Sequence, residues 1–167
     1  LIKVMAATNP ALYSDLQKET LERLEEERRL EEQAKNVTPG NNYKEIRCKG
    51  VDGEEIALSD VVAKNRYVLL DFWATWCDPC MQEIPIQQQA YNKYALQGFE
   101  ICAISLDRDV DRWRSFVRQN RLLWSHFIDS TDPTRPAAAE AYGLITIPAN
   151  FLISPDGEIV ARNLHGD

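Results

Sequence analysis

Two cysteines three positions apart, Cys77 and Cys80, are the residues whose type and spacing most clearly suggest chemistry. They follow a largely apolar run over residues 67–74 and precede a segment that is predicted to be a helix. Backbone N–H groups and the helix dipole at a helix N-terminus favour a thiolate. Two thiols this close can also form a disulfide with each other, so the pair predicts a reversible two-electron thiol–disulfide switch.

The same pair has two simpler interpretations, an inert disulfide or half of a zinc site. A zinc site needs a second pair of ligands at close spacing. The remaining cysteines and histidines lack that spacing: Cys48, Cys102, His126 and His165. We therefore expect no metal and no cofactor.

Those remaining residues are predicted to be structural. Cys102 lies in the apolar run 99–106 and should behave as a small buried hydrophobe, whereas Cys48 should be partly exposed in a hairpin. His126 is flanked by aromatic residues and is expected to be half-buried with satisfied hydrogen bonds. His165 should be solvated.

Length and composition indicate one domain with an appendage, because the chain has 167 residues and a hydrophobic content of 44%. A net charge of −7 argues against nucleic acid or anionic lipid as the main partner. No apolar run approaches the roughly 20 residues that span a bilayer. The sequence shows no signal peptide and begins with Leu1, so we expect any targeting segment to lie outside it.

Residues 10–35 predict a highly charged helix with a thin apolar stripe. The helix is either a solvated linker or a surface that binds a partner or an N-terminal domain, and both interpretations stay open. The sequence 36–42 contains Pro39 and Gly40 and should end the helix. We therefore divide the chain into a helical extension, 1–36, and a domain, 37–167.

Within the domain, apolar strands alternate with helices. The predicted elements are strands at 43–48 and 54–58, a strand at 67–73, a helix at 78–96 interrupted and kinked by Pro85, a strand at 99–106, a helix at 110–120, a strand at 125–128, a helix at 136–142, and strands at 150–153 and 158–161. Strands separated by helices imply a parallel core, and the two hairpins add antiparallel edges. The fold class is therefore α/β.

This order and four motifs resemble the thioredoxin fold, in the TlpA/ResA-like branch of extracytoplasmic thiol–disulfide oxidoreductases. The motifs are residues 71–80, Glu83-Ile84-Pro85, Thr146-Ile147-Pro148 and the closing hairpin 150–163. Residues 107–141 resemble the strand–helix insertion of this branch. The resemblance implies a three-layer α/β/α fold with a mixed central sheet, an N-terminal hairpin and the added charged helix. It also implies a closing C-terminal helix, which would follow Asp167.

The resemblance assigns roles to four residues. Cys77, at an exposed helix N-terminus, would attack a substrate disulfide, and the more buried Cys80 would resolve the mixed disulfide. Asp71 lies inside a buried strand, where a carboxyl group has a raised pKa, and would lie beneath Cys80 and help to move its proton. Glu83 would have a similar acid–base role, unless it is an ordinary solvated glutamate.

Substrate binding is predicted at Trp76 and at Ile147-Pro148. Trp76 should be partly exposed beside Cys77, and a cis Ile147–Pro148 bond would form an edge with which a peptide can pair. The alternative is an ordinary trans turn. The partners implied by the resemblance are protein disulfide substrates and an upstream electron donor, in the periplasm or on the outer side of a membrane.

The leading hypothesis is an enzyme that reduces protein disulfides. A peroxiredoxin-like peroxidase would need a single peroxidatic cysteine, and a copper assembly factor would need a Cys-x-x-x-Cys motif with a remote histidine. A further alternative is a redox or metal-assembly interaction module in which the N-terminal helix mediates partner binding.

Overall fold

A mixed sheet of seven strands occupies the centre of the computed structural model, which describes residues 8–129 and 137–166. The helices, in chain order, are α1 (Pro10–Lys35), α2 (Leu58–Val62), α3 (Asp78–Tyr94), α4 (Val110–Gln119) and α5 (Ala137–Ala141). The strands are β1 (Arg47–Gly50), β2 (Glu55–Ala57), β3 (Tyr67–Trp73), β4 (Phe99–Ser105), β5 (Ser125–Ile128), β6 (Ala149–Ile153) and β7 (Ile159–Arg162). A short 3₁₀ turn, Ala95–Gln97, follows α3.

The strand order across the sheet is β2-β1-β5-β4-β3-β6-β7. Strands β3, β4 and β5 run parallel, as their helical connections require, and the two hairpins form antiparallel edges. The register places Asp71 beside Ala103, and Ala103 beside His126. The predicted α/β class and mixed sheet are therefore confirmed.

Alternate residues of the central strands contribute to two hydrophobic cores, one on each face of the sheet. Leu70 and Phe72 pack with residues of α2 and α5 on one face. Leu69 and Trp73 pack on the other face with residues of α3 and α4, among them the fully buried Trp113. Helices thus cover both faces, which explains why β3 is apolar along nearly its whole length.

Three predicted features differ from the structure. Pro85 lies inside α3, which continues unbroken to Tyr94, so the predicted interruption is wrong. The side chain of Pro85 is exposed, so solvent can satisfy the carbonyl group that loses its helical donor there. Strand β1 lies at Arg47–Gly50 rather than at the predicted 43–48, and β2 is one residue shorter at each end than the predicted 54–58. Residue 136 of the predicted helix 136–142 lies outside the described residues.

Helix α1 begins as its sequence predicts, with Asn9 accepting a hydrogen bond of 3.1 Å from the backbone N–H of Leu12. None of its residues is buried, yet its C-terminal half contacts the domain. Arg29 forms an ion pair with Glu140 of α5, and Gly143 lies directly against the backbone of α1. In the part of the chain that the structure describes, we find no helix with the length and apolarity needed to cross a membrane.

Gly143→Ala should weaken the packing of α1 on the domain. A Cβ atom at Gly143 would overlap the backbone at Leu30 and Ala34, whereas one at Gly40 would have no neighbour within 4 Å. Both glycines have positive φ, so Gly40→Ala is a control for backbone strain. We expect Gly143→Ala to lower the free energy of unfolding in urea by about 1–3 kcal/mol more than Gly40→Ala. Equal losses would contradict this packing.

Candidate active site

The two cysteines lie at the junction between β3 and α3. Cys77 is the N-cap residue of α3, and its sulfur accepts a hydrogen bond of 3.3 Å from the backbone N–H of Cys80. Pro79 occupies the first turn, where a missing N–H leaves no helical bond unmade. The two sulfurs are joined in a disulfide with an S–S distance of 2.06 Å. Both cysteines lie at the start of α3 because β3 ends at Trp73, only four residues before Cys77.

A buried carboxylate that sequence reasoning missed, Asp107, holds the loop between β3 and α3. Its oxygens accept hydrogen bonds from the backbone N–H of Thr75 at 2.9 Å and from the Thr75 hydroxyl at 2.6 Å. The hydroxyl of Ser105 donates a third hydrogen bond at 2.6 Å. Asp107 follows the carboxyl end of β4, next to the end of β3. Functional residues gather at the carboxyl ends of parallel strands, so this position could have identified Asp107 from the sequence.

The cysteines are less exposed than their positions in the motif suggested. Cys77 is 5% exposed and Cys80 is 3% exposed, so the prediction of an exposed Cys77 is wrong for this disulfide state. Trp76 is 58% exposed, as expected. Trp76 is therefore far more exposed beside the disulfide than either cysteine is.

A surface groove of about 610 Å³ passes the disulfide. Trp76, Cys77 and Pro79 line one part of it, and the segment 144–147 lines another. The Ile147–Pro148 peptide bond that ends this segment is cis, as the resemblance implied. The structure thus brings the predicted substrate residues Trp76 and Ile147 to one groove with Cys77, and Pro148 follows directly in the chain.

Asp71 lies on the inner side of the site and lines a small cavity together with Cys80. Its side chain is buried, and burial is the main cause that raises its pKa to about 7. A hydrogen bond with Gln87 opposes this rise, and the negative charge of Glu83 adds to it. A carboxyl group with this pKa can both hold and release a proton near neutral pH.

Glu83 lies on α3, half-buried, one turn after Cys80. One of its oxygens accepts a hydrogen bond of 3.2 Å from the backbone N–H of Gly166. The effect of Glu83 on the site is therefore electrostatic, since its negative charge raises the pKa of Asp71. Its role in acid–base chemistry stays a prediction.

His126 differs most from its prediction. It is 4% exposed, and within the described part of the chain neither ring nitrogen has a hydrogen-bond partner, so the expectation of a satisfied, half-buried histidine is wrong. Its ring lies 6.0 Å from that of Trp73 and 5.4 Å from that of Trp124. Burial lowers the pKa of His126 to about 3, so the imidazole is neutral at physiological pH.

The two remaining cysteines are both buried and unpaired. This confirms the prediction for Cys102 and corrects the one for Cys48, which was expected to be partly exposed. Burial is the main cause that raises the pKa of Cys48 to about 12, so its thiol stays protonated and unreactive. Over residues 8–129 and 137–166, no three histidine, cysteine, aspartate or glutamate side chains are grouped as metal ligands would be.

A helix-covered mixed sheet with a Cys-x-x-Cys disulfide at the start of α3 defines a thioredoxin-like dithiol protein. The chain belongs to the AhpC/TSA family, whose model matches residues 39–162. The family match confirms the expected thioredoxin-like class.

Several similar proteins are named thiol-disulfide oxidoreductases. The thiol-disulfide oxidoreductase ResA of Oceanobacillus iheyensis is 37% identical over 131 residues, which are 74% of this chain and 61% of that protein. ResA of Bacillus thuringiensis subsp. konkukian is 36% identical over 110 residues, 66% of this chain and 60% of the relative. The chain thus spans about 60% of the length of these curated relatives. The thioredoxin domain of a thiol-disulfide oxidoreductase from Bacteroides vulgatus superimposes with a TM-score of 0.71 at 30% identity, over 78% of this chain and 91% of that one.

Asp71→Asn should remove a pH dependence of stability. Since the pKa of Asp71 is about 7 in the folded protein against an ordinary value of 3.8, folding favours the protonated form. The contribution of Asp71 to the stability of the protein is therefore greatest below pH 4 and is lost as the pH rises to about 7. The full effect is on the order of 4 kcal/mol, because one pKa unit corresponds to about 1.36 kcal/mol.

Urea unfolding of the oxidised protein at pH 5 and pH 8 measures this effect. The wild type should lose more stability than Asp71→Asn over that interval. Parallel losses in the two proteins would show that Asp71 ionises at its ordinary pKa despite its burial.

Proposed function

We propose that this protein reduces disulfides of protein substrates through the Cys77–Cys80 couple. The observation that carries the proposal is the Cys77–Cys80 disulfide at the start of α3, beside an open groove and above a buried carboxyl group. The names of the relatives support the same class of reaction.

In the first step, the thiolate of reduced Cys77 attacks a substrate disulfide. A new S–S bond joins Cys77 to the substrate, and the second substrate sulfur leaves as a thiolate that takes a proton from solvent. The backbone N–H of Cys80, which points at the sulfur of Cys77, and the N-terminus of α3 stabilise the attacking thiolate.

In the second step, Cys80 resolves the mixed disulfide. Its thiol gives its proton to the ionised carboxylate of Asp71, and its sulfur attacks the sulfur of Cys77. The Cys77–Cys80 bond forms, and the remaining substrate sulfur leaves as a thiolate and is protonated. Two electrons have then moved from the protein to the substrate. The raised pKa of Asp71 suits this transfer, because proton transfer is most efficient when the pKa lies near the working pH.

The groove beside the disulfide is the proposed substrate site. Trp76 supplies a large exposed apolar contact, and Ile145 is 67% exposed on the segment that lines the groove. An extended peptide bound along 144–148 would pair with backbone there and bring its disulfide to Cys77. Trp76, Ile147 and Pro148 are therefore the proposed substrate-binding residues.

A dithiol electron donor must return the oxidised protein to its reduced form, since each turnover leaves the Cys77–Cys80 disulfide. We propose an extracytoplasmic location, as the resemblance implies for this branch. Partner or domain binding through residues 10–35 stays a prediction that the exposed leucines of α1 support, among them Leu12, Leu21 and Leu24.

Trapping with Cys80→Ser tests the proposal. This variant keeps the nucleophile but cannot resolve the intermediate, so substrates should accumulate as disulfides with Cys77 that dithiothreitol releases. Insulin, a protein with accessible disulfides, is the substrate in vitro, and non-reducing electrophoresis with mass spectrometry measures the adducts. The double variant Cys77→Ser/Cys80→Ser is the matched control and should trap nothing. Equal adduct levels in both variants, or none in either, would refute the proposal.

A further inference from the structure

A small, partly open cavity lies beneath the disulfide, between the sheet and α3. Asp71, Cys80, Gln87 and His126 contribute to its lining, and the rest of its wall is formed by Trp73, Trp124 and aliphatic side chains. The indole N–H groups of the two tryptophans are also buried without a hydrogen-bond partner among the described residues. Its volume is about 10 Å³. A cavity needs roughly 10–15 Å³ of such space to hold one water molecule, and it must also be polar. The cavity beneath Cys80 lies at that lower limit.

The sheet register places Asp71 and His126 on opposite sides of this cavity. Asp71 pairs with Ala103, and Ala103 pairs with His126, so the three side chains project from the same face of parallel strands. Two strand spacings separate the Cα atoms of Asp71 and His126 by about 10 Å. The methyl group of Ala103 is too small to fill the space between them.

Three buried polar atoms belong to these two residues. Within the described residues, Oδ1 of Asp71 and both ring nitrogens of His126 have no hydrogen-bond partner, although each residue is at least 96% buried. Buried polar groups without partners are rare because each loses its hydration on folding. One water molecule with two to four polar neighbours is the usual remedy.

We propose that this cavity binds one water molecule that links His126 to Asp71, and that His126 is thereby a positioning residue for the carboxyl group that takes up the proton of Cys80. The positioning role of His126 rests on the proposed function, whereas the water site does not. A neutral imidazole has one N–H donor, which donates to the water oxygen, and the water donates to Oδ1 of Asp71.

The link has a defined effect on Asp71. A donor to the carboxylate favours its ionised form and lowers its pKa, against the rise that burial causes. The neutral state of His126 fits this role, since burial lowers the pKa of the imidazole to about 3. The titratable groups around Asp71 in the oxidised protein are Glu83 on α3, Cys102 on β4 and His126 on β5, while β6 contributes the uncharged Asn150. Cys80 on α3 has no ionisable thiol while it is joined to Cys77.

Replacing the imidazole tests the link. His126→Phe keeps a flat ring between the tryptophans but has no donor, whereas His126→Gln keeps a donor and an acceptor. The readout is the pH titration of the Asp71 carboxyl carbon by NMR in the oxidised protein, which does not depend on any enzyme activity. We expect His126→Phe to raise the midpoint by about one pH unit and His126→Gln to restore most of the shift. An unchanged midpoint in His126→Phe, or equal shifts in both variants, would overturn the proposal.

A high-resolution crystal structure of the wild type provides a test that requires no variant. Electron density for a water molecule within hydrogen-bond distance of Asp71 Oδ1 and a ring nitrogen of His126 would support the site, and its absence would overturn it. The pH profile of insulin reduction then tests the positioning role of His126. This profile should shift in His126→Phe in the same direction as the titration of the Asp71 carboxyl group. If the titration shifts but insulin is not reduced by any variant or by the wild type, the water link stands and the proposed function fails.

Discussion

The carboxyl group of Asp71 is buried in the middle of the sheet, and much of the site is arranged around it. Removing a carboxylate from water is unfavourable, so burial raises the pKa of Asp71 to about 7 and keeps the group largely protonated under mildly acidic conditions. Gln87 reduces this penalty through a hydrogen bond, and Glu83 increases it through its charge. The result is a carboxyl group that can gain or lose a proton near neutral pH and that shares a cavity with Cys80 of the disulfide.

The rest of the fold brings the sulfurs to that carboxyl group. Strand β3 carries Asp71 and ends at Trp73, and the following loop leads to Cys77 and the start of α3. Asp107 fixes this loop to the end of β4 with hydrogen bonds to Thr75. Because these contacts come from the ends of adjacent parallel strands, the position of the disulfide depends on the pairing of β3 with β4.

Local sequence was sufficient to predict the elements that carry the two cysteines. The apolar run 67–73 and the Cys-x-x-Cys motif with Pro79 in the first helical turn define β3 and the start of α3 at the residues where the structure has them. Strand β5, at 125–128, was also predicted with its observed bounds. These features depend on residues that are close together in the sequence, so the local sequence pattern is enough to predict them.

Features that depend on contacts between distant segments were missed. The hydrogen bonds of Asp107 join residues 32 positions apart, and the burial of Cys77 depends on how the chain around the site packs. His126 was expected to be half-buried because a single aromatic-rich segment does not reveal that β5 is covered on this face by α3 and α4. The pairing of Ala103 with His126, which brings the imidazole near Asp71, is a property of the sheet register and not of either strand alone.

The central claim is that Asp71 takes the proton of Cys80 when the mixed disulfide is resolved. The most direct measurement is the rate of that step against pH, starting from a preformed mixed disulfide between Cys77 and a peptide thiol, in the wild type and in Asp71→Asn. The account predicts that the wild-type rate rises with a midpoint near pH 7, and that Asp71→Asn is roughly a hundredfold slower at that pH, as expected for the loss of a general base. Identical rates and pH profiles in the two proteins would contradict it.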